Sequence, residues 1–203
     1  MRGILRAPWK GWLYLTMLYN RVKFALWGVH FDGGARLEGK VYCRNEGEIH
    51  LGRGVHVTGG YCRNRISRNL GSSLCADRGA TLTIGEGSGI SSSCIWARSS
   101  IRIGRRVNIG ANCIILDHDA HSLDPERRLS YSDDYASTAT SPVEIGDDVL
   151  VGTSCIILKG VSIGRGSVLG AGSVLTRSIP EGELWAGNPA SFIRALSTHP
   201  ADE

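Results

Sequence analysis

The chain is poor in aromatic residues, at 7% of 203, and has no long hydrophobic run. The nearest approach is the stretch WLYLTMLY at 12–19. It falls well short of the ~20 residues a spanning helix needs. It also lacks a small-residue cleavage site and is followed directly by Asn20 and Arg21, which argues against a secretory signal. A protein that stays in the cytoplasm and does not cross a membrane is expected. Charge of one sign is missing too. The formal net charge is +4, with no aromatic-interleaved basic stripe in the body of the chain, so nucleic acid is not an expected partner. The six cysteines are Cys43, Cys62, Cys75, Cys94, Cys113 and Cys155, and none forms a C-x-x-C pair. They read as small buried residues of a protein kept in a reducing compartment.

Glycine, in contrast, is plentiful, at 27 residues, and it falls in step with a repeat. From Val143 every sixth residue is aliphatic: Ile145, Val151, Ile157, Ile163, Leu169, Leu175. Gly146, Gly152, Gly164 and Gly170 follow directly, and Val149, Cys155, Val161, Ser167 and Ser173 occupy a small or β-branched position four residues on. The same phase is read at Ile103, Ile109 and Ile115, with Val107 and Cys113, and at Ile84, Ile90 and Trp96, with Ser88 and Cys94. Leu51 and Val57 suggest a fainter start, and 59–80 is irregular. A period of six suits neither an α-helix nor a lone amphipathic strand. It suits a triangular coil of about eighteen residues, each side a short strand with one residue on the axis and glycine at the corner. A β-sandwich would need variable spacing and hairpin turns.

Both ends of such a solenoid need a cover. Residues 1–30 read as helical, with Trp12, Leu15, Tyr19, Val22 and Leu26 on one face, and Ser191–Leu196 as a short capping helix. The expected division is a helical cap or membrane-peripheral segment at 1–30, a β-helix at 31–190 with an inserted loop at 116–142, and a cap and tail at 191–203. The N-terminal segment mixes Trp9, Trp12, Tyr14, Tyr19 and Trp27 with Arg2, Arg6, Lys10, Arg21 and Lys23, a composition that also suits an interfacial helix on anionic lipid.

The repeat breaks between Ile115 and Ile145. If one coil accounts for eighteen of those thirty residues, about twelve are extra. This stretch holds His118 and His121; the other histidines are His30, His50, His56 and His199. Long loops on rigid scaffolds are where chemistry tends to sit. An imidazole titrates near neutrality and is suited to taking the proton of an attacking hydroxyl and passing it to a leaving group.

The repeat resembles that of the hexapeptide-repeat transferases, whose fold is an all-β left-handed parallel β-helix. The likeness covers about 40–195, most tightly 101–195. The string His121-Ser122-Leu123-Asp124-Pro125-Glu126-Arg127 is similar to the H-P-L-D-P-E-x-R stretch of galactoside, maltose and nodulation-factor acetyltransferases, with Ser122 in place of proline. The closing GAGSVLTRSIPEGELWAGNPASFIR at 170–194 resembles that family's final motif. The resemblance implies an acetyl-CoA-dependent O-acetyltransferase that needs no metal, with His121 as general base and His118 its rival. Asp117 or Asp119 would orient the imidazole. Ser92 stands near the position where sugar-acetylating relatives carry an asparagine, and Leu150 where a tryptophan is common. Thr153 and Ala171 would meet the pantetheine arm of CoA, Thr176 and Arg177 its adenosine end, and Arg194 a phosphate. The resemblance also implies a homotrimer, with His121 of one subunit facing the CoA groove of the next.

Four functions fit to different degrees: acetylation of a sugar hydroxyl on a surface polysaccharide or its precursor; acetylation of a small molecule such as an antibiotic or serine; a γ-type carbonic anhydrase; and a non-enzymatic scaffold. A serine acetyltransferase needs a larger helical N-domain than thirty residues supply. The carbonic anhydrase needs a third zinc histidine, and after His121 the next is His199. A scaffold requires neither the loop motif nor the closing motif.

Overall fold

The computed structural model describes residues 7–60, 66 and 69–196. The chain winds as a three-sided parallel β-helix. Each coil contributes one short strand to each of three faces. The first face stacks His30–Phe31, Glu48–Leu51, Thr81–Ile84, Ser100–Ile103, Val143–Ile145 and Ser162–Ile163. The second runs from Arg36–Gly39 through Leu150–Val151 and Val168–Leu169 to Glu183–Gly187. The third runs from Val41–Asn45 through Cys94–Ala97 and Ile114–Leu116 to Val174–Leu175. Every coil-to-coil pairing is parallel, with aliphatics in register: Ile103 beside Ile145, Ile109 beside Val151, Ile115 beside Ile157. These side chains fill the axis and are fully or almost fully buried.

Corner chemistry follows from the close approach of successive coils. A Cβ on Gly152 would lie 2.5 Å from the backbone nitrogen of Ala171, so only glycine fits there. Inside the corner between the second and third faces, small residues satisfy the turning carbonyls. Ser93 donates to Gly110 O at 2.8 Å, the Cys113 thiol to Gly152 O at 3.0 Å, and the Cys155 thiol to Gly170 O at 3.1 Å. Cys113 and Cys155 are accordingly buried, whereas Cys43, Cys75 and Cys94 are half-buried. Cys62 lies outside the described residues.

Three readings need correction. In the third coil Ile95, not Trp96, points inward: it pairs with Ile115 and is fully buried, while Trp96 pairs with the outward Leu116. That coil is one residue out of step, and a one-residue slip exchanges the two faces of a strand. Ser93, not Cys94, therefore holds the small corner position. Secondly, the inserted loop is twice the expected size. Ile115 and Ile145 sit on consecutive sides, not one coil apart, and Ile103 pairs with Ile145 forty-two positions on, against eighteen for Ile145 with Ile163. The excursion therefore takes about twenty-four residues. Thirdly, Ala190–Ala195 is a strand, not a capping helix. It folds back antiparallel on Glu183–Gly187. Six residues are too few to hold a helix alone, and the open edge of the last coil offers unpaired backbone groups.

The N-terminal helix α1 spans Ala7–Leu26. It lies against Arg36–Gly39 and Val41–Asn45 at the N-terminal end of the solenoid. Phe24 is fully buried and Leu13 nearly so, and the Asn20 amide donates to Leu37 O and Gly39 O at 3.0 and 2.9 Å. The stripe Trp12, Leu15, Tyr19, Val22 and Leu26 is on the opposite, exposed side. The solenoid end is lined with strand carbonyls, so the side that docks carries Asn20 and is less apolar than the side that does not.

Candidate functional site

The excursion leaves the third face after Leu116 and returns at Val143 on the first. Its backbone is tied to the body by acid groups. Asp117 is fully buried and accepts from the backbone N–H of Arg98 at 2.8 Å and of Ser99 at 2.7 Å. Asp119 pairs with Lys159 at 2.5 Å. Neither carboxylate holds His121. That partner is Asp134, on the short helix α2, Tyr131–Ser137. Its Oδ2 is 2.6 Å from His121 Nδ1, and its Oδ1 accepts from the Ser122 N–H at 2.6 Å. The bond with His121, then that from Ser122, holds the Asp134 carboxyl below its ordinary range. An ionised Asp134 favours the proton on Nδ1 and leaves the lone pair of Nε2 free. The His121 side chain is 73% exposed.

His118 has a different setting. It is 1% exposed, its Nδ1 accepts from the Ala120 N–H at 2.9 Å, and its ring stands edge-on to Trp96 at 4.5 Å. Burial pushes its pKa down. A neutral ring with Nδ1 as acceptor carries its proton on Nε2 and has no free lone pair, so it is not placed to act as a base.

His121 and Asp134 line a cavity of about 450 Å³ between the loop and the outer side of the third face. Asp77 organises its floor. It accepts from Trp96 Nε1 at 3.0 Å and from the Tyr135 hydroxyl at 2.8 Å, and the Arg98 guanidinium stacks 3.6 Å from the Tyr135 ring centre. Burial, then the bond to Asp77, pushes the Tyr135 hydroxyl pKa up. A larger groove of about 810 Å³ runs along the first face past Asp32, Glu48, His50 and Glu86. It holds neither His121 nor Asp134, and the smaller cavity is the candidate site. Asp77, Trp96, Asp134 and Tyr135 were not singled out from sequence as site residues. Trp96 was read as inward-facing, and nothing but position separates Asp134 from Asp133.

The remaining residues fall elsewhere on the prism. Thr153 and Ala171 lie at the corner between the second and third faces, across the third face from the loop. The Thr153 hydroxyl is bonded to Ala111 O at 2.5 Å, whereas Ala171 is exposed. Ser92 is on that same corner, buried, with φ of 42°. Thr176 and Arg177 follow the last strand of the third face on the loop side, and Arg194 is on the terminal hairpin. Arg177 and Arg194 are exposed. Within one chain His121 and the Thr153–Ala171 corner are not brought together. Among the described residues no cluster of three or more His, Cys, Asp or Glu side chains is placed to hold a metal ion; His199 lies outside them.

Comparison with known proteins bears on the repeat. The hexapeptide repeat of succinyl-transferase matches residues 100–115 and 142–177, the coils on either side of the excursion. The 2,3,4,5-tetrahydropyridine-2,6-dicarboxylate N-acetyltransferase of Staphylococcus aureus (strain Newman) is 34% identical over 94 residues, 46% of this chain and 33% of that protein. The match thus spans about a third of that relative's length. AntD, an N-acyltransferase from Bacillus cereus solved with dTDP and 3-hydroxybutyryl-CoA, superposes with a TM-score of 0.68 at 19% identity, over 88% of each chain. A galactoside acetyltransferase in complex with coenzyme A superposes with a TM-score of 0.54 at 22% identity, over 86% of this chain and 68% of that one. The chain carries hexapeptide repeats at 100–115 and 142–177 and shares the parallel β-helical fold of these two acyltransferases.

Proposed function

We propose that the protein is an acetyl-CoA-dependent O-acetyltransferase acting on a sugar hydroxyl, and that its coils wind left-handed as in the family it resembles. The observation that carries this reading is the exposed His121, fixed through Nδ1 by Asp134, over a cavity floored by Trp96 and Tyr135. Aromatic faces beside paired polar groups suit a sugar ring. Nε2 would take the acceptor's proton as its oxygen attacks, and then give it to the departing sulfur. Acetyl-CoA supplies the activated acetyl group. The chain has groups that fit it: an open corner at Ala171 and Gly172, and the exposed Arg177 and Arg194, which make no ion pair among the described residues. Arginine is suited to gripping phosphate.

Because His121 and the Thr153–Ala171 corner lie on opposite edges of the third face, the reading includes a homotrimer in which one copy supplies the base and its neighbour the CoA groove. Acetyl-CoA is a cytoplasmic metabolite, which places the reaction there, on a surface polysaccharide or its precursor. Release of CoA thiol with a panel of sugar nucleotides and oligosaccharides, with native mass spectrometry for the trimer, tests the reading. No thiol release above background with any of them, or a monomer as active as the bulk protein, would refute it.

A second reading is N-acetylation, favoured by the name of the Staphylococcus aureus relative. The dyad serves an amine as well as a hydroxyl. Mild alkali separates the two: an ester loses its acetyl group and an amide keeps it.

A further inference from the structure

The exposed side of α1 presents large apolar side chains to solvent among the described residues. Leu15, Leu18, Tyr19, Val22 and Leu26 are each more than half exposed, with Leu26 at 83%, and Tyr14 and Trp27 flank them. On a helix these residues fall within one arc, opposite Leu13, Asn20 and Phe24. Monomeric proteins seldom show so wide an apolar face without using it. The helix is anchored by its other side, so the exposed side is presented from a rigid end of the solenoid.

Charge identifies the occupant. Residues 1–31 contain Arg2, Arg6, Lys10, Arg21 and Lys23 and no Asp or Glu. Those five of the chain's 23 Lys and Arg leave 18 to set against all 19 Asp and Glu. The net positive charge of the protein therefore comes wholly from this segment. Arg21 is exposed beside the apolar arc. Lys23 is half-buried and donates to Val41 O, and burial lowers its pKa; the side chains of Arg2, Arg6 and Lys10 lie outside the described residues. An apolar arc rimmed by aromatics in a segment of uniformly positive charge complements an anionic bilayer surface. A second copy of the same face offers no negative charge to meet it. No described helix is long and apolar enough to cross a membrane, and the Asn20 side of α1 is held by the solenoid.

We propose that α1 docks the protein flat on an anionic lipid surface through Leu15, Leu18, Tyr19, Val22 and Leu26, while its opposite side closes the end of the solenoid. Capping and docking are thus two sides of one helix. The surface gives a location to the glycan reading above, yet rests on none of the catalytic residues. The test uses the full chain without acetyl-CoA: flotation with vesicles of phosphatidylglycerol and phosphatidylcholine, against phosphatidylcholine alone. Binding to the anionic vesicles should be at least tenfold tighter. It should fall at least tenfold in the Leu15→Ser, Tyr19→Ser, Leu26→Ser triple variant. These positions are outside the core, so thermal stability should be retained, and any loss of stability is read directly in a melting curve. Replacing Arg21 by Gln alone, with the apolar arc intact, should weaken anionic binding and leave the melting curve unchanged. A wild-type chain that ignores anionic vesicles, or binds both kinds equally, overturns the proposal. So does a triple variant that keeps its lipid binding but has a lower oligomeric mass, since the face would then join copies of this chain. Catalysis is absent from every arm, so failure here leaves the transferase reading standing, and the reverse.

Discussion

The solenoid and the excursion at 117–142 are built on opposite principles. In the coils each new strand repeats the last, and the aliphatics on the axis are held by their neighbours above and below. The excursion has no such period. Its shape comes from individual polar contacts: Asp117 on two backbone amides, Asp119 on Lys159, Asp134 on His121 and Ser122. The coils are redundant and spread a perturbation along the stack. The excursion is singular, and each of its contacts fixes one atom. An exposed, oriented imidazole belongs on the second kind of structure, mounted on the first.

The largest effect should come from breaking a coil. Ile103 is almost fully buried between Ile84 and Ile145, and Ile103→Ala should cost about 2–5 kcal/mol of stability. Chemical denaturation checks this. A cost under about 1 kcal/mol would mean that neighbouring coils close over the gap and that the stack is softer than its register implies.

Asp134→Asn tests the other principle. It keeps the shape but removes the charge that holds the proton on Nδ1. The rate of acetyl transfer should fall about 10²-fold or more, by the logic of a wrong imidazole tautomer, with little change in melting temperature. If the loss of rate comes with loss of fold, Asp134 is a brace for the loop and not an orienting group.

That residue also marks where sequence reading ended. The six-residue period disclosed the axis and the glycine corners, because one physical requirement recurs many times. It misjudged Trp96, where one coil is a residue out of step, since a period says nothing of its own slips. It grouped Trp12, Leu15, Tyr19, Val22 and Leu26 correctly on one face of α1, yet periodicity does not say which face the body covers. His121 is singled out by its motif. Its partner is not, because Asp134 reaches it across thirteen positions from a seven-residue helix, and Asp117 and Asp119 are the nearer acids in sequence.

Arg194→Ala should raise KM for acetyl-CoA several-fold while kcat stays within about twofold, as expected for a contact made equally in ground and transition states. Steady-state kinetics at varied acetyl-CoA checks this, and an effect confined to kcat would remove Arg194 from the phosphate.

The smallest effect concerns His118. Its pKa is held below the ordinary 6.5 by burial. The unfolded chain therefore binds a proton near pH 6.5 that the folded chain refuses until lower pH. Stability should fall as pH drops from 6.5 towards that lowered value, and level off beneath it. His118→Leu should flatten this part of the profile, followed by melting temperature from pH 8 to 5. An unchanged slope would assign the acid sensitivity to other groups.

In the proposed reaction His121 does the chemistry and the solenoid supports it. The direct measurement is the turnover of His121→Ala on one acceptor, beside its melting temperature and its affinity for acetyl-CoA. Turnover should fall about 10²–10⁴-fold, with the other two quantities unchanged, while His118→Ala melts earlier but loses about tenfold or less in rate. A His121→Ala protein that turns over at the wild-type rate, or a His118→Ala protein that is folded and dead, would contradict the account.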